Sequence, residues 1–463
     1  MRLSLPVHSY SLRSAPASTA RLVNCFAEAL PPDAKSPTVL SRVPCFVSTY
    51  TGASGVVRGM HYGLGYLWAV IGTRLHRLNE DGSASNFGTI PGTGRVSMAS
   101  NADYIVVVTN PEAYYADASV TTAAQITDAD FTARGAKYVR FIDNYLLFTE
   151  PGTGRFFGSD LASATSFDSL NFATAEGVPD NIVGMEVDHR QVLLFGSDSL
   201  EIWENTGASG FPFERAINGL IEIGCFNGDT IARLDNSVFW VANDYTVRKL
   251  EGTTPRRVST HAVEQFLSTV DINAGRAYSY NQDGHFFYVL SFEEGCWVYD
   301  ATTGEWHERQ TYGHTYYRYQ TSATAYGRVW LGDAYDYYVG YLDPDTYEDP
   351  GDVPQVMQWT YQPVYGENRL ATHDRLEVIM ETGVGLSSGQ GSDPQIMCEY
   401  SDDGGQTWTT LPTKDIGALG SYSTRVAWHK LGSARQRVYR MSVSDPVKVA
   451  ITDTILDVRG GRI

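Results

Sequence analysis

A strand–turn–strand unit recurs along most of this chain. Segments of similar shape begin near Val56, Val96, Tyr138, Ile182, Thr230, Ala277 and Ser322. Successive starts lie about 40 to 48 residues apart, the interval expected of four-stranded propeller blades. Each unit opens with one strand, a turn and a richly apolar second strand, as in VVRGMHYGLGYLWAVIG, YVRFIDNYLLFTE and AYSYNQDGHFFYVLS. The turns carry Gly, Asn or Asp, which tolerate positive φ in a hairpin. A third strand often ends beside an acid and a turn, as in HRLNEDG, EIWENTG, WVYDATTGEW and GYLDPDT. A single blade cannot bury both of its faces, so blades stack around an axis. The repeat predicts a β-propeller of about seven blades; six or eight stay open because the last unit is short. PCFVSTYT (Pro44 to Thr51) is expected to close the ring by pairing with the last blade, which removes exposed sheet edges.

The repeat ends near Pro350. DPGDVPQ reads as a linker, and six strand-like segments follow, among them RLEVIMETG, QIMCEYSDDG and QRVYRMSVS. Antiparallel strands of that length suit a small sandwich. The first residues are extended and Pro-rich, with an amphipathic patch at LVNCFAEAL, and read as an arm or an edge-covering segment. The expected organisation is an all-β chain: an N-terminal arm (1–43), a propeller (44–349) and a β-sandwich (350–463). Composition agrees, since 29 Tyr against 8 Met, with 44 Gly, favour pleated strands and tight turns over helices.

The formal net charge is −18, and the 35 basic residues are scattered singly. Binding through nucleic-acid phosphates needs clustered Lys and Arg, so tight DNA binding is not expected. An acidic surface that DNA slides past is compatible with this charge, and so is an acidic surface kept for solubility. The cysteines, Cys25, Cys45, Cys225, Cys296 and Cys398, are far apart and without a CxxC pair. That excludes a zinc framework or a disulfide scaffold and predicts buried free thiols in a chain assembled in reducing cytoplasm. No segment approaches the roughly 20 apolar residues of a membrane span, and no secretion signal is visible.

The sharpest local motif is SDDGGQTW (Ser401 to Trp408), which matches the S-x-D-x-G-x-T-W Asp-box of sialidase-like propellers. Its physical content is a hairpin turn: Asp403 caps backbone amides, Gly405 is left-handed and Trp408 packs on the following strand. A sialidase would repeat the box and add an arginine cluster and a Tyr–Glu pair. No G-x-S-x-G, H-E-x-x-H or phosphate loop is present, and GTGRVSMAS opens a strand instead of a helix. DADF and DPDTYED lack EF-hand ligand spacing and read as solvated turns. Catalytic, cofactor-binding and metal-ligating residues are therefore all expected to be absent. TYGHTYYRYQ (Thr311 to Gln320) and GDAYDYYVGY (Gly332 to Tyr341) are strand surface, protein interface or sugar-stacking platforms. WHKLGSARQRVYR (Trp428 to Arg440) is either a hairpin with charges on its wet face or a contact for acidic neighbours.

Several stretches together resemble a known family. LVNCFAEALP followed by LSRVPCF, then GRVSMA, VPDNIVGMEVDHRQVLLFGSDSLEIWENTG, WVYDATTGEW and RVAWHKLGSARQRVYRMSVS run in order from about residue 20 to the C-terminus. They resemble the packaged-DNA stabilisation proteins, or tail accessory factors, of short-tailed lambdoid phages. The resemblance implies a structural tail hub and no enzyme. In that family six copies form a homo-hexameric ring below the portal and its adaptor, lengthen the DNA exit channel and retain packaged DNA until genome ejection. It implies as partners the portal adaptor, a tail needle or plug and a tailspike or receptor-binding protein, with dsDNA passing through unread and no membrane contact. The expected location is the virion tail, after assembly in host cytoplasm. The alternative is a tail-associated carbohydrate-binding or glycosidase-type propeller. It would be favoured by an acidic pair in a pocket beside an arginine cluster.

Overall fold

A computed structural model describes residues 1–11, 18–50, 52, 54–117, 122–365 and 369–460. Residues 12–17 of the expected N-terminal arm lie outside these. The chain divides into two compact units. One comprises Ser48–Phe292 and Arg318–Tyr341; the other comprises Met1–Val47, Glu293–Tyr317 and Leu342–Ile463.

The first unit is the propeller. Its seven inner strands are Val57–Gly63, Ser97–Ser100, Val139–Ile142, Ile182–Asp188, Ala232–Leu234, Arg276–Gln282 and Tyr319–Ala325. Successive blades pack on one another in that order, the fourth inner strand meeting the fifth blade through Gly228–Thr230 and Ser237–Val241, and the last inner strand returns to the first. Five complete antiparallel four-stranded sheets follow one another from Val57 to Arg257. The sixth inner strand forms a hairpin with His285–Ser291. The seventh pairs outward through Arg328–Asp333 and Val339–Asp343 to Cys45–Tyr50, so the N-terminal strand closes the ring as the sequence predicts.

The apolar second strands explain the stacking. In Tyr66–Ile71, Trp68 and Val70 enter one core cluster with Ile105 and Val107 of the next blade. Leu67, Ala69 and Ile71 point the other way, into a cluster with Ala325, Trp330 and Val339. The alternation repeats in Tyr104–Val108, whose Ile105 and Val107 face back while Val106 and Val108 face Phe148 and Phe157. A strand buried on both faces needs apolar residues at every position, hence continuous runs in place of polar–apolar alternation. Turn chemistry sets the hairpins between first and second strands. Leu64–Gly65, Asp143–Asn144, His189–Arg190, Asp235–Asn236, Asp283–Gly284 and Tyr326–Gly327 all have positive φ at both positions. This is the type I′ geometry that matches strand twist.

The second unit is a sandwich of two antiparallel sheets. One runs Cys25–Ala29, Thr38–Arg42, Ala450–Gly460, Ala371–Met380 and Val426–His429. In the other, Thr19–Val23, Met357–Thr360, Gln436–Val443 and Gln395–Ser401 are successive neighbours. Their facing side chains share one core that includes Leu22, Leu40, Trp359, Leu376, Cys398 and Leu456. The segment expected as an arm or edge cover is thus extended chain laid onto both sheets. Asn24, with φ of 55°, carries the chain from one sheet to the other. Its side-chain amide donates to the carbonyls of Gln310 and Val356 at 2.9 Å each and accepts from the Gln310 amide at 3.0 Å.

Arg42 holds this unit together without a carboxylate. Its buried guanidinium donates to the carbonyls of Asp445 (2.5 Å), Val447 (2.8 Å), Tyr347 (3.3 Å) and Gln355, and to the Gln355 side chain at 3.2 Å. Burial lowers its pKa to about 10, which leaves it charged at neutral pH.

Two stability predictions follow from these contacts. Arg42→Met should cost about 3 kcal/mol or more, because it strands several buried carbonyls that each cost about 1–3 kcal/mol unpaired. Trp330→Ala, at the seam between last and first blades, should cost about 3–5 kcal/mol. Both losses are measurable by urea unfolding, and a change under 1 kcal/mol at either site would contradict the packing described.

Candidate functional site

The Asp-box is a turn in the sandwich unit, capping the hairpin after Gln395–Ser401. Asp403 accepts from the amides of Gln406 (2.9 Å) and Thr407 (2.9 Å) and from the hydroxyls of Ser401 (2.6 Å) and Thr407 (2.5 Å). Those hydrogen bonds, led by the Ser401 hydroxyl, hold its carboxyl well below the usual range. Gly405 sits at φ of 93°, and the Trp408 indole donates to the Gly405 carbonyl at 3.1 Å. The Asp403 carboxylate is engaged in its own turn, and the other acid of the motif, Asp402, is paired with Arg437.

The basic segment divides: His429, Lys430 and Arg435 are exposed, as a wet face requires, whereas Arg437 and Arg440 turn inward. Arg437, with its side chain 3% exposed, makes two hydrogen bonds to Asp402 (2.6 and 2.7 Å) and one to the Leu431 carbonyl. It also stacks over Tyr400, and Arg440 stacks over Trp408 with its guanidinium carbon 3.9 Å from the ring centroid. Bidentate pairing and stacking of this kind fix a planar guanidinium in place. These arginines therefore anchor the Asp-box hairpin to the neighbouring strand. Beside them the His373 Nδ1 shares a hydrogen bond with the Tyr439 hydroxyl at 2.8 Å. Burial and the Arg437 charge push the His373 pKa down to about 4.

The tyrosine-rich stretches contain both core and surface. Tyr317 and Tyr319 are buried, whereas Tyr312 and Tyr335 are exposed. Within GDAYDYYVGY, the buried Asp333 caps the amides of Tyr335 (2.9 Å) and Asp336 (3.1 Å) and accepts from Arg318 at 2.5 Å. DADF also departs from the solvated-turn expectation. Asp128 caps the short helix Ala129–Arg134, accepting from Asp130 at 2.9 Å and Phe131 at 3.2 Å, and Phe131 enters the core. All five cysteines are buried, and none is joined in a disulfide. Among the described residues no cluster of His, Cys, Asp and Glu could hold a metal, and no helix is long and apolar enough to cross a membrane.

The feature that sequence reasoning missed is the propeller axis. A cavity of about 480 Å³ opens among the inner strands, and Arg95, Arg140, Arg233, Glu186, Asp229 and Tyr138 meet in it. No sequence window holds them, because they come from different blades. Arg140 pairs with Glu186 at 3.0 Å and donates to Ser97 at 3.1 Å. The second Glu186 oxygen accepts the Val187 amide at 3.0 Å. The Tyr138 hydroxyl donates to Asp229 at 3.3 Å, and burial, with Asp229 nearby, pushes its pKa well up. His61 bonds Ser100 at 2.9 Å, and burial together with the Arg140 charge lowers its pKa to about 4. Arginines beside acids in a pocket are what the glycosidase alternative calls for. Here, however, Glu186 is occupied at both oxygens, and a phenol that resists ionisation is a poor nucleophile.

The architecture defines the class: an all-β chain carrying a propeller and a sandwich whose motif residues are spent on internal contacts. The chain belongs to the bacteriophage P22 Gp10 family. That family's β-propeller matches residues 10–347 and its β-sandwich matches residues 357–459. The tail hub protein gp10 of Salmonella phage P22 is 23% identical over 271 residues, which are 54% of this chain and 56% of that protein. The match thus spans little more than half the length of that curated relative. Among solved structures, the extracellular domain of a putative one-component system from B. thetaiotaomicron is 11% identical, with a TM-score of 0.46, over 86% of this chain and 56% of that one. A computationally designed protein, Ika8, is 13% identical, with a TM-score of 0.38, over 64% of this chain and 99% of its own.

Two of the depressed histidines, His61 and His373, predict a pH dependence. The unfolded chain takes up a proton at each near pH 6.5, and the folded chain does so only near pH 4. Stability should therefore fall as pH drops from 6.5 towards 4 and gain nothing from these groups above 6.5. Urea unfolding at stepped pH should show this slope, and His373→Gln should make it shallower. A slope unchanged in that variant would remove His373 as its source.

Proposed function

We propose that this chain is a structural tail hub protein of a phage virion, without enzymatic activity. Six copies form a ring below the portal and adaptor, extend the DNA exit channel and hold the packaged genome. A needle or plug closes the far end, and a tailspike is a further contact. The observation that carries this reading is the colinear match of propeller and sandwich to one phage family. The net charge of −18 supports a channel wall that does not grip phosphates. The working modules are the propeller over 44–349 and the sandwich over 350–463, the latter completed by the N-terminal strands. Affinity in such a ring comes from broad surfaces between copies and neighbours.

The second reading, a sugar-binding or glycosidase-type propeller of the tail, draws on the arginines and acids of the axial cavity. It ranks below the first because Glu186 is already neutralised and coordinated. One experiment separates them. The purified chain is weighed in solution alone and with a portal–adaptor complex, and the products are imaged by electron microscopy. A six-fold ring on the adaptor is the expected result. A chain that ignores the adaptor and instead binds or cleaves a glycan would overturn the hub reading and promote the second.

A further inference from the structure

The outer strands of the third and fourth blades share one irregularity. In Phe167–Thr174, Phe172 faces Phe157 and Phe167 faces Ser159, so residues 168–171 stand opposite Gly158 alone. In Phe213–Ile221, Leu220 faces Glu201 and Arg215 faces Trp203, so residues 216–219 stand opposite Ile202 alone. Each bulge carries an aliphatic side chain into water: Leu170 is 75% exposed and Ile217 94%. Each is also held in shape. The Asp168 carboxylate accepts the Leu170 amide at 2.9 Å, and Arg134 donates to the Ser169 carbonyl. Asn218 takes a φ of 60°, and a Cβ on Gly219 would stand 2.6 Å from the Ile202 carbonyl oxygen. The first blade bulges by two residues only, Phe87 and Gly88, and buries Phe87. The two irregular strands abut, since a Cβ on Gly177, just past the one, would meet Leu220 of the other at 2.8 Å. Both bulges give up backbone pairing and re-aim an apolar side chain at solvent, where it gains by being covered. Beside them Asp168, Glu176 and Glu214 are exposed acids with no ion pair among the described residues.

The sandwich unit has the complementary shape and charge. A cavity of about 420 Å³ is lined by apolar side chains that include Leu5, Val7, Val364, Ala434 and Val458. No Asp or Glu lines it, whereas Arg2, His8 and the exposed Arg435 do. We propose that the rim carrying Leu170 and Ile217 docks on a second copy of this chain, with Ile217 entering the sandwich cavity of that copy and the acids of the rim facing its arginines. A knob and a cavity at different places on one molecule make a head-to-tail contact, which closes into a ring or continues as a filament. Such a contact suits the ring proposed above but does not rest on it, because it needs two copies and no adaptor.

The test is sedimentation velocity of the full chain, without adaptor, from about 1 to about 100 μM in low salt. Association that grows with concentration is expected, weakened about tenfold or more in Ile217→Asn and in Arg435→Glu. Ile217→Asn should melt with the parent, because Ile217 lies almost wholly in solvent. Mixed in equal amounts, the two variants should pair one to one, since the first keeps the cavity and the second keeps the knob. The proposal is overturned if the parent stays monomeric throughout, if Ile217→Asn associates as the parent does, or if the mixture forms no pairs. Ring formation on the adaptor is scored separately, so the hub reading stands or falls by itself.

Discussion

Burial of both faces of every blade is the constraint on which the propeller depends. A sheet such as that of Val57–Gly63 to Ala84–Thr89 places Trp68 on one side and Leu67 on the other, both fully buried. Neither face can be left to water, because each apolar side chain returned to solvent costs about 1.5–3 kcal/mol. The sheet therefore needs a neighbour on each side, that neighbour needs another, and the series ends only when it meets itself. Closure is where the arrangement is most exposed to failure. There the Tyr326 hydroxyl donates to the Leu78 carbonyl at 2.8 Å and accepts the Leu67 amide at 3.2 Å, joining the last blade to the first.

Arginine supplies the second kind of cohesion. Arg58 is buried and donates to the carbonyls of Gly94 (2.7 Å), Gly72 (3.1 Å), Ile90 (2.9 Å) and Pro91 (3.0 Å), as Arg42 does in the sandwich. Loops that leave a sheet have carbonyls with no ladder partner, and one guanidinium with five donors satisfies several at once. No carboxylate is required, so the chain stays strongly acidic overall while its interior uses positive charge. The LSRVPCF segment carries Arg42 and GRVSMA carries Arg95. In the structure those arginines bind backbone to backbone.

Most of the fold was legible because periodicity is local. The seven repeats, the ring-closing strand and the six strands after Pro350 each lie in one window of sequence. What escaped depends on distant partners. Thr38–Arg42 pairs with Ala450–Gly460 across the whole length of the chain, and nothing near Leu40 announces Ile451 as its partner. The axial arginines were read as scattered because Arg95, Arg140 and Arg233 lie tens of residues apart, Arg140 and Arg233 on the inner strands of two blades and Arg95 just before that of a third. Asp128 was taken for a solvated acid because a helix of six residues gives no periodic signal.

The same accounting bears on what the molecule offers to others. Asn24, Arg42, Asp403 and Arg437 are saturated by internal partners. Removing their side chains would weaken the fold before it touched any contact with another protein. What stays available is apolar and exposed: Leu161, Leu170 and Ile217 in the propeller, Leu419 and Tyr422 in the sandwich. Such side chains have no chemistry to catalyse with, but they gain by being covered. With polar groups turned inward and these apolar groups left outward, the surfaces that gain most from being covered are the apolar ones.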